Sequence, residues 1–184
     1  LVLYELFTGK PAFRASSPGE LRRLQSETTP ASPSSLLEGF DPTVERVVIC
    51  TPDKDLAQCV GGKVVQVDRR AGQFRDVAAV TEKYGVPPVS IPDWLALVGD
   101  SADGFPGLPG WGAKTAATVL RRYVHLEEIP HAPGQWDVSG VRGAAKLAGT
   151  LAERYDDALL FKRLATLDTS VDVGTPQSWH WAGP

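Results

Sequence analysis

The sequence predicts an α/β protein, a small sheet flanked by helices that leads into a mostly helical region. Three observations predict it. Two short runs rich in β-branched residues, 44–50 (VERVVIC) and 63–67 (KVVQV), read as strands. From Asp76 onward, Ala, Val and Leu recur at helical spacing. Between these regions lies a loop dense in glycine and proline, residues 99–112. Strands followed by helices suit a sheet region joined to a helical one.

In chain order, residues 1–8 read as a buried helix ended by Gly9, with Pro11 beyond. Residues 18–25 form a short amphipathic helix with Pro18 in its first turn. The stretch 28–35 (TTPASPSS) excludes helix or central strand and marks the first break. After the strand at 44–50 come a short helix at 52–60, a Gly61-Gly62 turn and the strand at 63–67. Asp76 caps a helix that runs to Tyr84 and is closed by Gly85, with Pro87-Pro88 following. Helices are further expected over 91–98, opened by Pro92, and over 113–123, 142–154 and 156–167. Trp179 and Trp181, alternating around His180, suit an edge strand. The sequence contains no internal repeat. It divides into segments 1–43, 44–98 and 99–184.

The 184 residues are 42% hydrophobic and 22% charged, ordinary for a globular domain, and the net charge of −3 gives no global pull toward a polyanion. The two cysteines, Cys50 and Cys59, match no zinc spacing and suit free thiols in a reducing cytoplasm. No apolar run approaches the roughly 20 residues a membrane span needs. The apolar start lacks a basic leader and is no signal peptide. Because the first residue is Leu rather than Met, the chain is expected to begin inside a longer reading frame.

Three motifs carry chemistry. Asp53 and Asp55, in TPDKD, follow the first strand, where open sheets form ligand sites, and two carboxylates one residue apart can converge on a hard cation. Asp100 and Asp103 are three apart, so one helical turn would put them on one side. In FPGLPGWGAKTA, the glycines at 107, 110 and 112 uncover the backbone just before a helix start, where N–H groups and the helix dipole favour an anion. Lys114 adds a charge suited to a phosphate oxygen. A Walker-type loop is excluded by spacing.

GDSADGFPGLPGWGAKTA strongly resembles the signature of the 5′ nuclease family, the 5′–3′ exonucleases and flap endonucleases, in which metal aspartates run into a helix–hairpin–helix DNA-binding element. TPDKDLAQCV resembles the earlier aspartate pair of the same family, and VPPVSIPDWLALVGD lies between the two in the family manner. The resemblance covers residues 48–184. It implies a partial nuclease sheet followed by a helix–hairpin–helix region, with Asp53, Asp55, Asp100 and Asp103 as metal ligands and no catalytic residue beyond them. It assigns Gly107, Leu108, Gly110, Trp111, Gly112, Lys114 and Thr115 to the DNA backbone, duplex or flap. The implied chemistry is hydrolysis with two Mg²⁺ or Mn²⁺ ions about 4 Å apart, in DNA replication and repair. It also implies a K⁺ held by hairpin carbonyls.

The family's early strand with a metal aspartate, its basic arch and its Glu-x-Asp-Asp-type cluster find no match here. Residues 1–47 instead resemble a piece of a bacterial serine/threonine kinase C-terminal lobe, in LVLYELFTGKPAF, SSPGELRRL and DPTVERV. No kinase phosphate loop, catalytic loop or metal aspartate accompanies them. A joined reading frame is therefore expected, along with incomplete metal binding and little cleavage by this chain alone. A non-catalytic DNA-binding module and a kinase-derived fragment are the alternatives. Protein partners are not indicated. Trp94, Trp111, Trp136, Trp179 and Trp181 are expected in the core or an interface, with Trp111 the one best placed to meet DNA. Arg121, Arg122, Arg142 and Lys146 suit phosphates or a solvated face equally, and His125, His131 and His180 are expected to be bystanders.

Overall fold

The computed structural model describes residues 46–174; the helices expected at 1–8 and 18–25 and the strand around His180 lie outside that range. The chain divides into two compact units, Glu45–Leu167 and a second made of Leu1–Val44 with Asp168–Pro184. In the described part of the second, Asp168 Oδ1 accepts the Ser170 N–H at 2.8 Å and Asp172 Oδ1 accepts the Gly174 N–H at 2.9 Å. The first unit carries the sheet, the helices and the candidate site.

Its β-branched runs form β1 (Val47–Ile49) and β2 (Val64–Asp68), which pair in parallel with Val47 opposite Val64 and Ile49 opposite Gln66. A third strand, β3 (Gln73–Arg75), returns antiparallel to β2 and completes the order β1-β2-β3. Its turn is organised by Asp68, whose Oδ1 accepts the Arg70 and Ala71 N–H groups at 3.1 Å each and whose Oδ2 pairs with Arg75 at 3.2 Å. The Ala71 N–H bond foremost, with Arg70 and Arg75, holds the Asp68 carboxyl below the usual range. Between β1 and β2, the helix expected over 52–60 is a 3₁₀ turn, Asp55–Cys59. Its Val60 end is extended, and the Val60 N–H closes a tight bond on the Ala57 carbonyl rather than continuing a helix.

The helices follow the sequence closely. In α1 (Val77–Tyr84), the Asp76 side chain accepts the Ala79 N–H, and Gly85 closes the helix in the left-handed region. Next, α2 (Ile91–Val98) has Pro in its first turn, where a missing N–H leaves no bond unmade. After the glycine-rich loop come α3 (Ala113–Tyr123), α4 (Ala144–Glu153) and α5 (Tyr155–Ala165).

α2 lies at the centre, with Ile91, Leu95, Ala96 and Leu97 wholly buried, and packs on α3 and α5. One hydrophobic core runs from Ala57 to Ala165, so packing is continuous across the boundary that the sequence suggested between residues 98 and 99. Burying Ile91, Leu95 and Leu97 is worth roughly 1.5–3 kcal/mol each. That offsets the cost of a fully buried carboxylate on the same helix, Asp93. Asp93 is also completely partnered: Oδ1 accepts the Leu126 N–H at 2.8 Å and pairs with Lys162 Nζ at 2.7 Å, while Oδ2 meets His125 Nδ1 at 3.1 Å. His125, expected to be a bystander, is therefore a half-exposed partner of the buried Asp93. Its partner lies far away in sequence, where local pattern carries no signal.

Candidate functional site

The site begins with Gln66, the fully buried polar residue of β2. Its amide donates to the Asp53 carbonyl, and its Oε1 accepts from Arg75 Nη1 at 3.4 Å. The middle strand thus fixes the turn that carries the first two aspartates. Gln58 fixes the other end of that turn, donating to the Asp55 carbonyl at 2.8 Å and the Ala165 carbonyl at 2.9 Å. Within it, Asp53 Oδ1 accepts the Asp55 N–H at 3.2 Å.

The second pair sits on a closed turn. The Asp100 N–H donates to the Phe105 carbonyl at 2.8 Å and the Phe105 N–H to the Asp100 carbonyl at 3.1 Å. Asp100 and Asp103 thus lie on a hairpin-like turn, which corrects the expectation of a helical turn. Gly99 and Gly107, at φ +90° and +70°, interlock at its base. A Cβ on Gly107 would stand 2.4 Å from the Gly99 nitrogen, and one on Gly99 would stand 2.5 Å from the Pro106 carbonyl. Only glycine allows that approach.

These two turns bring Asp55, Asp100 and Asp103 together, with one oxygen of each within 4.8 Å of the others. Asp53 stands beside this group and is exposed. Asp100 is buried, Asp103 exposed and Asp55 between them. Burial first, then the hydrogen bond and charge of Asp103 and the charges of Asp53 and Asp100, push the Asp55 carboxyl up to about 8. Its Oδ1 is buried with no hydrogen-bond partner. A crowd of acids with an orphaned oxygen fits a hard cation, which prefers such ligands. Lys54 supplies one positive charge, its Nζ lying 2.7 Å from Asp100 Oδ1.

The loop after Phe105 is partly spent on the protein itself. The Leu108 N–H donates to the Leu97 carbonyl at 2.9 Å and the Trp111 N–H to the Leu108 carbonyl at 3.1 Å. The side chains of Leu108 and Trp111 are buried, and Trp111 packs on Trp136 at 5.8 Å between centroids. Those two side chains therefore shape the loop from within, and Trp111 takes the core place expected of the tryptophans. Gly107 serves the interlock described above. Gly110, Gly112 and Lys114 are exposed, with Thr115 half-buried. The first intrahelical bond of α3 is Ala116 N–H to the Gly112 carbonyl, and no side chain caps the helix. The N–H groups of residues 113–115 are thereby left for an outside acceptor.

Sequence reasoning missed Lys54, Gln58 and Gln66 as parts of the site. Gln66 alone carried a signal, a polar residue inside an apolar strand, KVVQV.

Residues 86–184 match the family model described as 5′-3′ exonuclease, C-terminal SAM fold. The chain is 37% identical over 196 residues to a DNA polymerase I of Pseudomonas aeruginosa, an alignment covering 92% of this chain and 21% of the relative. That similarity runs through most of residues 1–47, the stretch that resembles a kinase lobe. A flap endonuclease Xni of Shewanella amazonensis is 38% identical over 126 residues, covering 68% of this chain and 47% of the relative. A 5′-3′ exonuclease of Aquifex aeolicus is 42% identical over 94 residues, covering 51% and 32% respectively. The chain thus spans less than half the length of these curated relatives. Among solved structures, bacteriophage T5 5′-exonuclease with bound zinc superposes with TM-score 0.56 at 17% identity, over 80% of this chain and 53% of that one. A T5 flap endonuclease in a pseudo-enzyme-product complex with DNA and metal ions gives 0.53 at 19%, over 84% and 57%. These two likenesses speak to the fold. With its model matching more than half of the residues, the chain belongs to the 5′-3′ exonuclease family.

Proposed function

We propose that this chain is the metal-binding and duplex-gripping part of a divalent-metal-dependent 5′-3′ nuclease acting on DNA ends or flaps. The observation that carries the reading is the convergence of Asp55, Asp100 and Asp103 around a buried, unpartnered Asp55 Oδ1. These three would hold Mg²⁺ or Mn²⁺, with Asp53 alongside. A bound ion supplies an activated water and stabilises the leaving oxygen of a phosphodiester.

The chain's own residues do the positioning. Gln66 and Gln58 hold the Asp53–Asp55 turn, and the Gly99–Gly107 interlock holds Asp100. The exposed glycines 110 and 112, the open first turn of α3 and Lys114 offer donors to a phosphate. Main-chain donors of this kind read no bases, so DNA structure rather than sequence decides binding. K⁺ at the hairpin carbonyls belongs to the same proposal, as does a place in a reducing cytoplasm, which suits two unbridged cysteines. Among the described residues no helix is long and apolar enough to cross a membrane.

Three clustered carboxylates suit one ion better than two, so turnover by this chain alone is expected to be slow. The test is a 5′-flap duplex with Mn²⁺. Asp100→Asn should abolish whatever cleavage occurs, a loss of about a hundredfold or more, while gel-shift affinity is retained. Lys114→Ala should weaken the shift severalfold. The second reading, a DNA-binding module without catalysis, is favoured by the first turn of α3, which no side chain caps. It would be established by a metal-independent shift with no cleavage. No DNA binding, unaltered by Lys114→Ala, would overturn both.

A further inference from the structure

The acid cluster already holds a cation of its own. Lys54 stands between Asp53 and Asp55 in sequence, yet its ammonium reaches across to Asp100 on the other turn, 2.7 Å from Oδ1. The Asp100 side chain is 2% exposed and the Lys54 side chain 34% exposed. Asp100 Oδ1 also accepts the Ala102 N–H at 2.9 Å. The carboxylate is thus fixed from below by its own turn, while its cation sits at the rim with a path to water. An ordinary surface pair has both partners free to part and contributes little. Here one partner cannot move and the other can, next to an oxygen of Asp55 that has no partner at all.

We propose that Lys54 is a built-in counter-ion of the acid cluster, displaced when a divalent ion enters, and that it thereby sets how tightly the site takes metal. The inference rests on the metal reading given above. Without metal, the ammonium partly neutralises Asp100 and keeps the two turns together. A divalent ion on the same oxygens repels it, and the flexible four-carbon stem lets it swing to solvent. The site therefore exchanges one cation for another, and its affinity is lower than its carboxylates alone would give. Lys54 is a positioning residue in this scheme, touching neither DNA nor the reacting phosphate.

The test measures Mn²⁺ binding from the loss of the free-ion electron paramagnetic resonance signal, on the wild type, Lys54→Met, Lys54→Arg and Asp100→Asn. Removing the charge in Lys54→Met should tighten Mn²⁺ binding about tenfold, because the ion then no longer has to part an ammonium from the buried Asp100. Lys54→Arg should remain near the wild type. Binding by Lys54→Met that equals or falls below the wild type overturns the inference alone. Wild-type binding that is absent, or unaltered by Asp100→Asn, overturns the metal reading and the inference with it.

Amine labelling of the wild type, mapped by peptide mass, guards against a Lys54→Met chain that does not fold. Mn²⁺ should make Lys54 react severalfold faster while Lys146 reacts unchanged. Equal Lys54 labelling with and without Mn²⁺ overturns the displacement.

Discussion

Asp55 concentrates the chemistry of the site in one ionisation. Its carboxyl is pushed up to about 8 by burial and by the neighbouring Asp103, Asp53 and Asp100, whereas the unfolded chain releases that proton near 3.8. The folded state therefore holds more protons between these values, and stability must fall as pH rises through that window and level off above about 8. Asp68, whose carboxyl is held low, acts in the opposite sense, and only in more acidic solution. Thermal melts of the metal-free protein from pH 5 to 9 should show this decline, and Asp55→Asn should flatten it. Mn²⁺ should stabilise most at the alkaline end, where it no longer competes with the proton; stabilisation that is strongest at pH 5 would contradict the assignment. The two aspartate pairs stood out in the sequence, and the family resemblance, not their spacing, gave them a metal role. Which three converge was not legible, because that depends on a turn closed between Asp100 and Phe105 and on the Gln66 anchor. Nor was the Lys54 pairing, which joins residues far apart in sequence.

Among the elements, the helices were legible because each carries its own punctuation. Asp76 and Gly85 bracket α1, Pro92 opens α2, and the apolar spacing of α3 shows through its charged face. β3 was not legible: three residues with Phe74 64% exposed offer no alternation to detect. The exit of α3 was hidden as well. Val124 lies at φ 66° and ψ −54°, and the His125 N–H donates to the Tyr123 carbonyl at 2.7 Å, a γ-turn with a β-branched residue at its strained centre. That turn aims His125 and the Leu126 N–H at Asp93. Strain of this kind costs about 1–3 kcal/mol, while the added chain freedom of glycine costs roughly 0.5–1 kcal/mol. Val124→Gly should therefore stabilise the protein by about 1 kcal/mol, read as a melting temperature higher by about 2–4 °C. A lower melting temperature would mean that the half-exposed valine packs better than its backbone is strained.

At the scale of the whole described unit, the Asp100 turn and the glycine-rich loop after it hang from α2, and α2 is held by charge as well as by its apolar faces. Lys162 on α5 reaches Asp93 at 2.7 Å and Glu127 at 2.6 Å. Burial alone would depress the Lys162 ammonium, but its hydrogen bonds and charge contacts with Asp93 and Glu127 outweigh that and raise it. The stabilisation is consequently complete at neutral pH and is lost only as the solution becomes alkaline beyond the ordinary lysine range. Phe105, which closes the Asp100 turn, stacks on Phe161 of the same α5 at 5.7 Å. One helix thus braces both the buried carboxylate at the start of α2 and the acid turn beyond its end. Lys162→Met keeps the stem and removes the charge, leaving Asp93 with His125 and one N–H. The expected loss is on the order of 3 kcal/mol, the cost of stranding a buried charge. Because the brace is shared, the same variant should weaken Mn²⁺ binding even at temperatures where it stays folded. Asp93→Asn with Lys162→Met should recover part of the stability, since the buried charge and its counter-ion leave together. Denaturant melts and Mn²⁺ titrations of the single and double variants measure both effects; a double variant no more stable than Lys162→Met would show that the clamp is not what holds α2 to α5.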